Sequence, residues 1–126
     1  MLAETLLTRE LHHMRKIESE MVAAIRAGNT FLKANTEVRA VYVLGETEDD
    51  DFEVMNVYLH GNEIASVFRP GTPDEWVCVN VGTLRDYPTR TTMSRLRALG
   101  ADVCTRKGRV MLNGNDIYTG KPPQGR

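Results

Sequence analysis

The chain has 126 residues and a mass of 14.2 kDa, enough for one domain and too little for two. Hydrophobic residues make up 41% and charged residues 26%, which suits a water-soluble globular protein able to build a core. Sixteen basic residues against 17 acidic leave a net charge of −1, so no broad positive field exists to hold DNA, RNA or an anionic membrane, and no apolar run approaches the roughly 20 residues that span a bilayer.

The first predicted element is a long helix from Ala3 to Ala27. Leu7, Leu11, Met14, Met21 and Ile25 fall at spacings of three, four and seven, and Leu6, Ile17 and Val22 widen that stripe. Glu4, Arg9 and Glu10 interrupt the apolar core that a signal peptide needs, so the expected location is cytoplasmic. Glu20, Arg26 and other charged residues occupy the opposite face, and Gly28 ends the helix. A helix of about 25 residues exceeds the usual globular length. Its stripe either packs partly on another copy of the chain or lies across the sheet of its own domain.

Strands follow. Glu37 to Gly45 alternates in polarity, and the acidic run Glu46 to Asp51 reads as a turn, because its spacing matches no calcium loop. Asp51 to His60 and Glu63 to Phe68 alternate on either side of Gly61-Asn62, a hairpin signal with His60 at its tip. Trp76 to Val81 reads as a further strand after the break at Pro70 to Pro73. Cys78 and Cys104 each sit in an apolar alternating run, and are expected to be reduced, buried and poorly reactive thiols.

Tyr87 to Gly100, YPTRTTMSRLRALG, is a short helix. Thr89, Thr91 or Thr92 serves as N-cap, Met93, Leu96 and Leu99 form the core-facing stripe, and Gly100 supplies the left-handed residue after the last turn. Arg90, Arg95 and Arg97 are expected to point away from that stripe. The free amides of the first turn, three hydroxyls and an arginine make a candidate anion site; the alternative is a core-packing helix with a solvated basic face. Asp102 to Tyr118 then reads as short strands joined by Lys107-Gly108 and Asn113-Gly114, and Arg106, Lys107 and Arg109 form a basic tip. That tip is either a phosphate contact or a charged edge that blocks aggregation.

The expected fold is α+β: a long N-terminal helix and one short helix packed on an antiparallel sheet of about six strands. Residues 1–28 form the N-terminal helix and an oligomerisation element, 29–118 a ligand-binding domain, and 119–126 a flexible polar tail. The chain contains no Gly-x-Ser-x-Gly, Walker loop, His-Glu-x-x-His or Cys-x-x-Cys motif, so neither an enzyme nor a metal or cofactor site is expected. Its arginines, threonines and tyrosine suit an anionic nucleotide better than acid–base chemistry.

Several segments carry a family resemblance: AGNT (Ala27 to Thr30), ANTEVRAVY (Ala34 to Tyr42), YLHGNEIA (Tyr58 to Ala65), YPTRTTMSRLRALG and TRKGRVMLNG (Thr105 to Gly114). In order and spacing they resemble the phage anti-Thoeris sponges, which sequester cyclic nucleotide signals of bacterial immunity, including cyclic ADP-ribose isomers and cyclic oligonucleotides. The resemblance implies reversible binding of such a ligand in the cytoplasm of the infected host. It also implies a homo-oligomer, dimer or hexamer, with sites between protomers. On it, Tyr87 stacks on the base, Arg97 stands where the family more often has asparagine, and Arg39 with Arg106 or Arg109 approaches the ligand. Together with Thr89, Arg90, Thr91 and Thr92 these are the candidate ligand-binding residues. The rival readings are a phage inhibitor of a host protein and a small nucleotide-cleaving enzyme.

Overall fold

A computed structural model describes residues 15–120 of the chain. The expected helical stretch before Arg15 and the tail after Gly120 lie outside the described residues. Helix α1 spans Lys16–Arg26 and buries Glu18, Met21, Val22 and Ile25 on one face. Gly28, at φ +74°, lets the Asn29 amide turn back to the Ala24 carbonyl (2.8 Å), which closes the helix end.

Five antiparallel strands follow in the spatial order of the chain: β1 (Phe31–Lys33), β2 (Thr36–Val43), β3 (Phe52–Leu59), β4 (Asn62–Phe68) and β5 (Trp76–Val79). The acidic run folds as the expected turn, with a 3-10 segment at Glu48–Asp50. Asp51 and Asp50 accept bonds from the Gly45 amide and the Thr47 hydroxyl, so these carboxylates hold their own loop. The β3–β4 turn falls on His60 and Gly61, both at positive φ, one residue earlier than the Gly61-Asn62 expectation. Two consecutive left-handed residues match the twist of the hairpin, and Asn62 is then free to open β4.

Beyond β5 the expected strand stops two residues short of Val81. The Asn80 side chain accepts from the Thr83 amide (3.1 Å) and starts helix α2, Val81–Asp86. Helix α3 spans Arg90–Ala98, and β6 (Val103–Arg106), β7 (Arg109–Leu112) and β8 (Asn115–Asp116) make a separate three-stranded sheet. The α+β class is as expected, with the strands divided between sheets of five and three and one helix more than the sequence suggested.

The inner face of the large sheet carries Val38, Met55, Val57 and Val67, all buried, and α1 and α3 supply Met21, Ile25, Leu96 and Leu99 to the same core. Arg95 departs from expectation. It does not point to solvent but is 4% exposed, with Glu18 at 2%. Its guanidinium donates to Glu18 Oε2 (2.6 Å) and to the Thr36 hydroxyl (3.1 Å), and Ser94 also donates to Glu18 (2.7 Å). Three-residue spacing drifts about 60° per step around a helix, so the buried face runs through Thr92, Arg95, Leu96 and Leu99, and Met93 is only half-buried.

The cysteines also depart from expectation: both are exposed. In β5, Val77 and Val79 take the inner positions and push Cys78 outward; in β6 only Val103 is buried. We expect a thiol reagent to label Cys104 of the native protein rapidly. Protection of Cys104 would contradict this register.

Burial acts to raise the Glu18 carboxyl pKa. The donors Ser94, Arg95 and the Arg15 amide, with the Arg95 charge, outweigh it and hold the group below its ordinary 4.5. The stabilisation is therefore complete above about 4.5 and is lost as pH falls through the lower folded value. Glu18→Ala strands a buried guanidinium and should cost about 3–5 kcal/mol in urea unfolding. Glu18→Gln should flatten the acid limb of stability below pH 4.5, and an unchanged limb would contradict the pairing.

Candidate functional site

Thr89 is the N-cap of α3. Its hydroxyl accepts from the Thr92 amide (3.0 Å) and lies 2.9 Å from the Thr92 hydroxyl, which is itself buried. The cap thus uses two of the three candidate hydroxyls. Among the described residues no hydrogen bond reaches the amides of Arg90 and Thr91, the first two of the helix. Those amides lie at the positive end of the helix dipole, where an anion is favoured. Tyr87 closes α2, accepts on its carbonyl from the Thr89 amide (2.8 Å), and leaves 49% of its surface exposed.

The small sheet lies beside α3. Arg97 donates to the Val103 carbonyl (3.1 Å), and the Thr105 hydroxyl meets Met93 Sδ (3.7 Å). Later strand residues therefore meet earlier helix residues, so β6 runs antiparallel to α3. Thr105 faces α3, so strand alternation sets Arg106, opposite Arg109 at the hairpin tip, on the other face of the small sheet. Lys107 and Gly108 are both at positive φ, which makes this tip a tight two-residue turn. Arg85 fixes the other side by donating to the Ile117 carbonyl (2.7 Å), which ties α2 to the end of the small sheet.

The candidate residues thus fall into two groups. Tyr87, Thr89, Arg90, Thr91 and Thr92 are contiguous at the start of α3, Arg106 stands apart at the β6–β7 tip, and Arg90 and Arg106 are exposed with no ion pair among the described residues. The other three are bonded within the chain. Arg97 sits near the far end of α3 on the Val103 carbonyl. Arg109 pairs with Asp116 through two bonds and lies 5.2 Å from the Tyr118 ring. The hydrogen bond between them lowers the Asp116 carboxyl pKa and raises that of Arg109. Arg39 is on the outer face of the large sheet, away from α3, held by both oxygens of Glu37 (2.9 and 3.0 Å) and 4.4 Å over the Tyr58 ring.

Two features escaped the sequence reading. The chain of bonds from Ser94 through Glu18, Arg95, Thr36 and Asn35 reaches the edge of His60, with Asn35 Nδ2 3.4 Å from His60 Nε2. No spacing rule pairs residues that far apart, though an acidic residue at position 18 inside an apolar stripe was a signal. The second is an aromatic row on the outer sheet face, where Phe68 stacks on Trp76 with ring centres 4.2 Å apart and Phe52 lies 6.3 Å from Phe68. The cross-strand alternation of Phe52, Phe68 and Trp76 was its signal.

Residues 14–123 match the family described as Kyanoviridae Gp96 protein. The chain belongs to this family. The match covers the large sheet, α3 and the basic hairpin, and it makes this a phage protein. No curated protein and no solved structure matches the chain. Among the described residues no helix is long and apolar enough to cross a membrane.

Proposed function

We propose that this Gp96-family protein binds and sequesters a cyclic nucleotide immune signal, of the cyclic ADP-ribose or cyclic oligonucleotide kind, without cleaving it, in the cytoplasm of the infected bacterium. The observation that supports this reading is a helix start with uncommitted hydrogen-bond donors. The amides of Arg90 and Thr91 at the start of α3 have no bond among the described residues, and the exposed Arg90 side chain is unpaired there. Phosphate oxygens accept from both. Tyr87 stands immediately before that turn with half its surface free, in a position to stack on a base.

The reading includes a homo-oligomer. Leu7, Leu11 and Met14 continue in sequence the row whose described members, Met21 and Ile25, are buried. That apolar length exceeds what one small sheet covers, and a second copy can take the remainder. Arg39, on the opposite sheet face, then meets a ligand held by a neighbouring protomer. Light scattering at micromolar concentration should give a multiple of 14.2 kDa, and a monomer would sink the inter-protomer site.

Binding variants test the site itself by calorimetry. Tyr87→Ala should lose about 1–3 kcal/mol of stacking, a weakening of roughly 5- to 150-fold. Arg90→Ala removes a charge-assisted bond worth about 1.5–3 kcal/mol, with unchanged melting because the side chain is exposed and unpaired. Arg97→Ala and Arg109→Ala should weaken binding less, since those groups must first release the Val103 carbonyl and Asp116. If the Arg90 variant binds every active ligand as tightly as the parent, the site is wrong.

A second reading, a phage inhibitor that docks on a host protein, has its own observation. Leu32, Tyr42, Leu44 and Trp76 are each more than half exposed on or beside the large sheet. Pull-down of a host protein that Trp76→Ser abolishes, with no nucleotide bound, would favour it.

A further inference from the structure

We infer that β5 is the pairing edge for a second copy of this chain, joining two large sheets into one continuous sheet across a two-fold axis at Cys78. The backbone directions come from one bond. The Asn80 amide donates to the Ile64 carbonyl (2.8 Å), in the same register that pairs Cys78 with Ser66 and Trp76 with Phe68. In an antiparallel ladder, alternate residues bond to the same neighbour. Trp76 and Cys78 therefore turn their amides and carbonyls to β4, and Val77 and Val79 turn theirs outward. Among the described residues no hydrogen bond reaches those four outward groups, and no strand pairs with β5 on that side.

Natural sheets protect such edges with charge, proline, bulges or short length. The other edge of this sheet is so protected: β1 is three residues long and ends at Lys33, which pairs with Glu20 (2.8 Å). The β5 edge, Trp-Val-Cys-Val, is also short, at four residues, but carries no charge, proline or bulge. Beside it runs a groove of about 420 Å³, bordered by Val77, Val79, Leu99 and Leu112 and also by the polar side chains of Arg26, Glu75 and Asn113. It is open to solvent along the strand, so another strand has room to enter.

The free groups select the partner and the register. With Cys78 opposite Cys78 of the second copy, Val77 faces Val79 of that copy, and the reverse pair forms by symmetry. All four outward groups of each edge are then bonded. A shift of two residues in the pairing sum would instead call on the Glu75 amide, already donated to the Thr72 carbonyl (3.1 Å), or on Val81 inside α2. The edge is thus complementary to itself, the condition for a closed two-fold dimer. A stable interface buries about 800 Å² per partner. Strand pairing alone falls short of that, and the remainder comes from the valines of each copy entering the other's groove and from Trp76, which is 53% exposed.

The geometry places two exposed thiols at a non-hydrogen-bonded antiparallel pair, where Cα atoms lie about 4.5 Å apart. That lies inside the range of about 4.4–6.8 Å that a disulfide bridges. The test is oxidation of the native full-length protein with diamide, read on a non-reducing gel. The wild type and Cys104→Ser should give a covalent dimer, and Cys78→Ser should not. The second variant is Cys78→Lys, which alters an exposed side chain and sets two ammonium groups face to face on the axis. It should stay folded by circular dichroism and lower the mass seen by light scattering. Absence of a Cys78-dependent dimer, or an unchanged mass in Cys78→Lys, would overturn the inference.

Discussion

The fold hangs on one buried charge pair. Glu18 from α1 and Arg95 from α3 meet between the helices and the sheet at 2.6 Å, and Arg95 also holds Thr36 at the start of β2. A pair so thoroughly removed from water adds little stability over a well-packed apolar alternative, but losing either partner is costly. Its effect is on arrangement. A shift of α3 by one residue along its axis would separate both ends of the pair, so the helix has one allowed position on the sheet.

That position matters because everything proposed about ligand binding lies on α3 or against it. The Thr89 cap fixes where the helix begins, and the contacts of Arg97 and Met93 with β6 fix where the basic hairpin ends. Arg90, Thr91 and Arg106 are therefore positioned by bonds made elsewhere, and their own donors stay uncommitted. Arg109 shows the opposite case: its charge is spent on Asp116, closing the short β7–β8 hairpin. Arg106 and Arg109 lie across from each other on β6 and β7, and their roles differ because Asp116 of β8 reaches Arg109.

Local signals in the sequence carried far. The Thr89 cap, the Gly100 terminus at φ +101°, and the Lys107-Gly108 and Asn113-Gly114 turns all lie where residue chemistry demands them, since each depends on neighbours within a few positions. Errors came where distant partners decide. Arg95 looked solvated because a charge on a helix usually is, and only Glu18, 77 residues away, makes its burial tolerable. Cys78 and Cys104 looked buried because alternation shows two faces and not which one is covered. The division of the strands into two sheets was illegible for the same reason. The grouping of Tyr87, Thr89 and Arg90 was legible because the three lie within four positions; the face taken by Arg106 depends on packing of β6 against α3.

The proposed function rests on two unbonded amides at the start of α3 in a phage protein of the Gp96 family. The most direct test is to incubate the purified protein with a panel of cyclic nucleotides, remove free ligand, denature by heat and chromatograph what is released. The account predicts that at least one cyclic nucleotide is retained by the native protein and recovered intact. Recovery of none, or recovery only of a cleaved product, would contradict it.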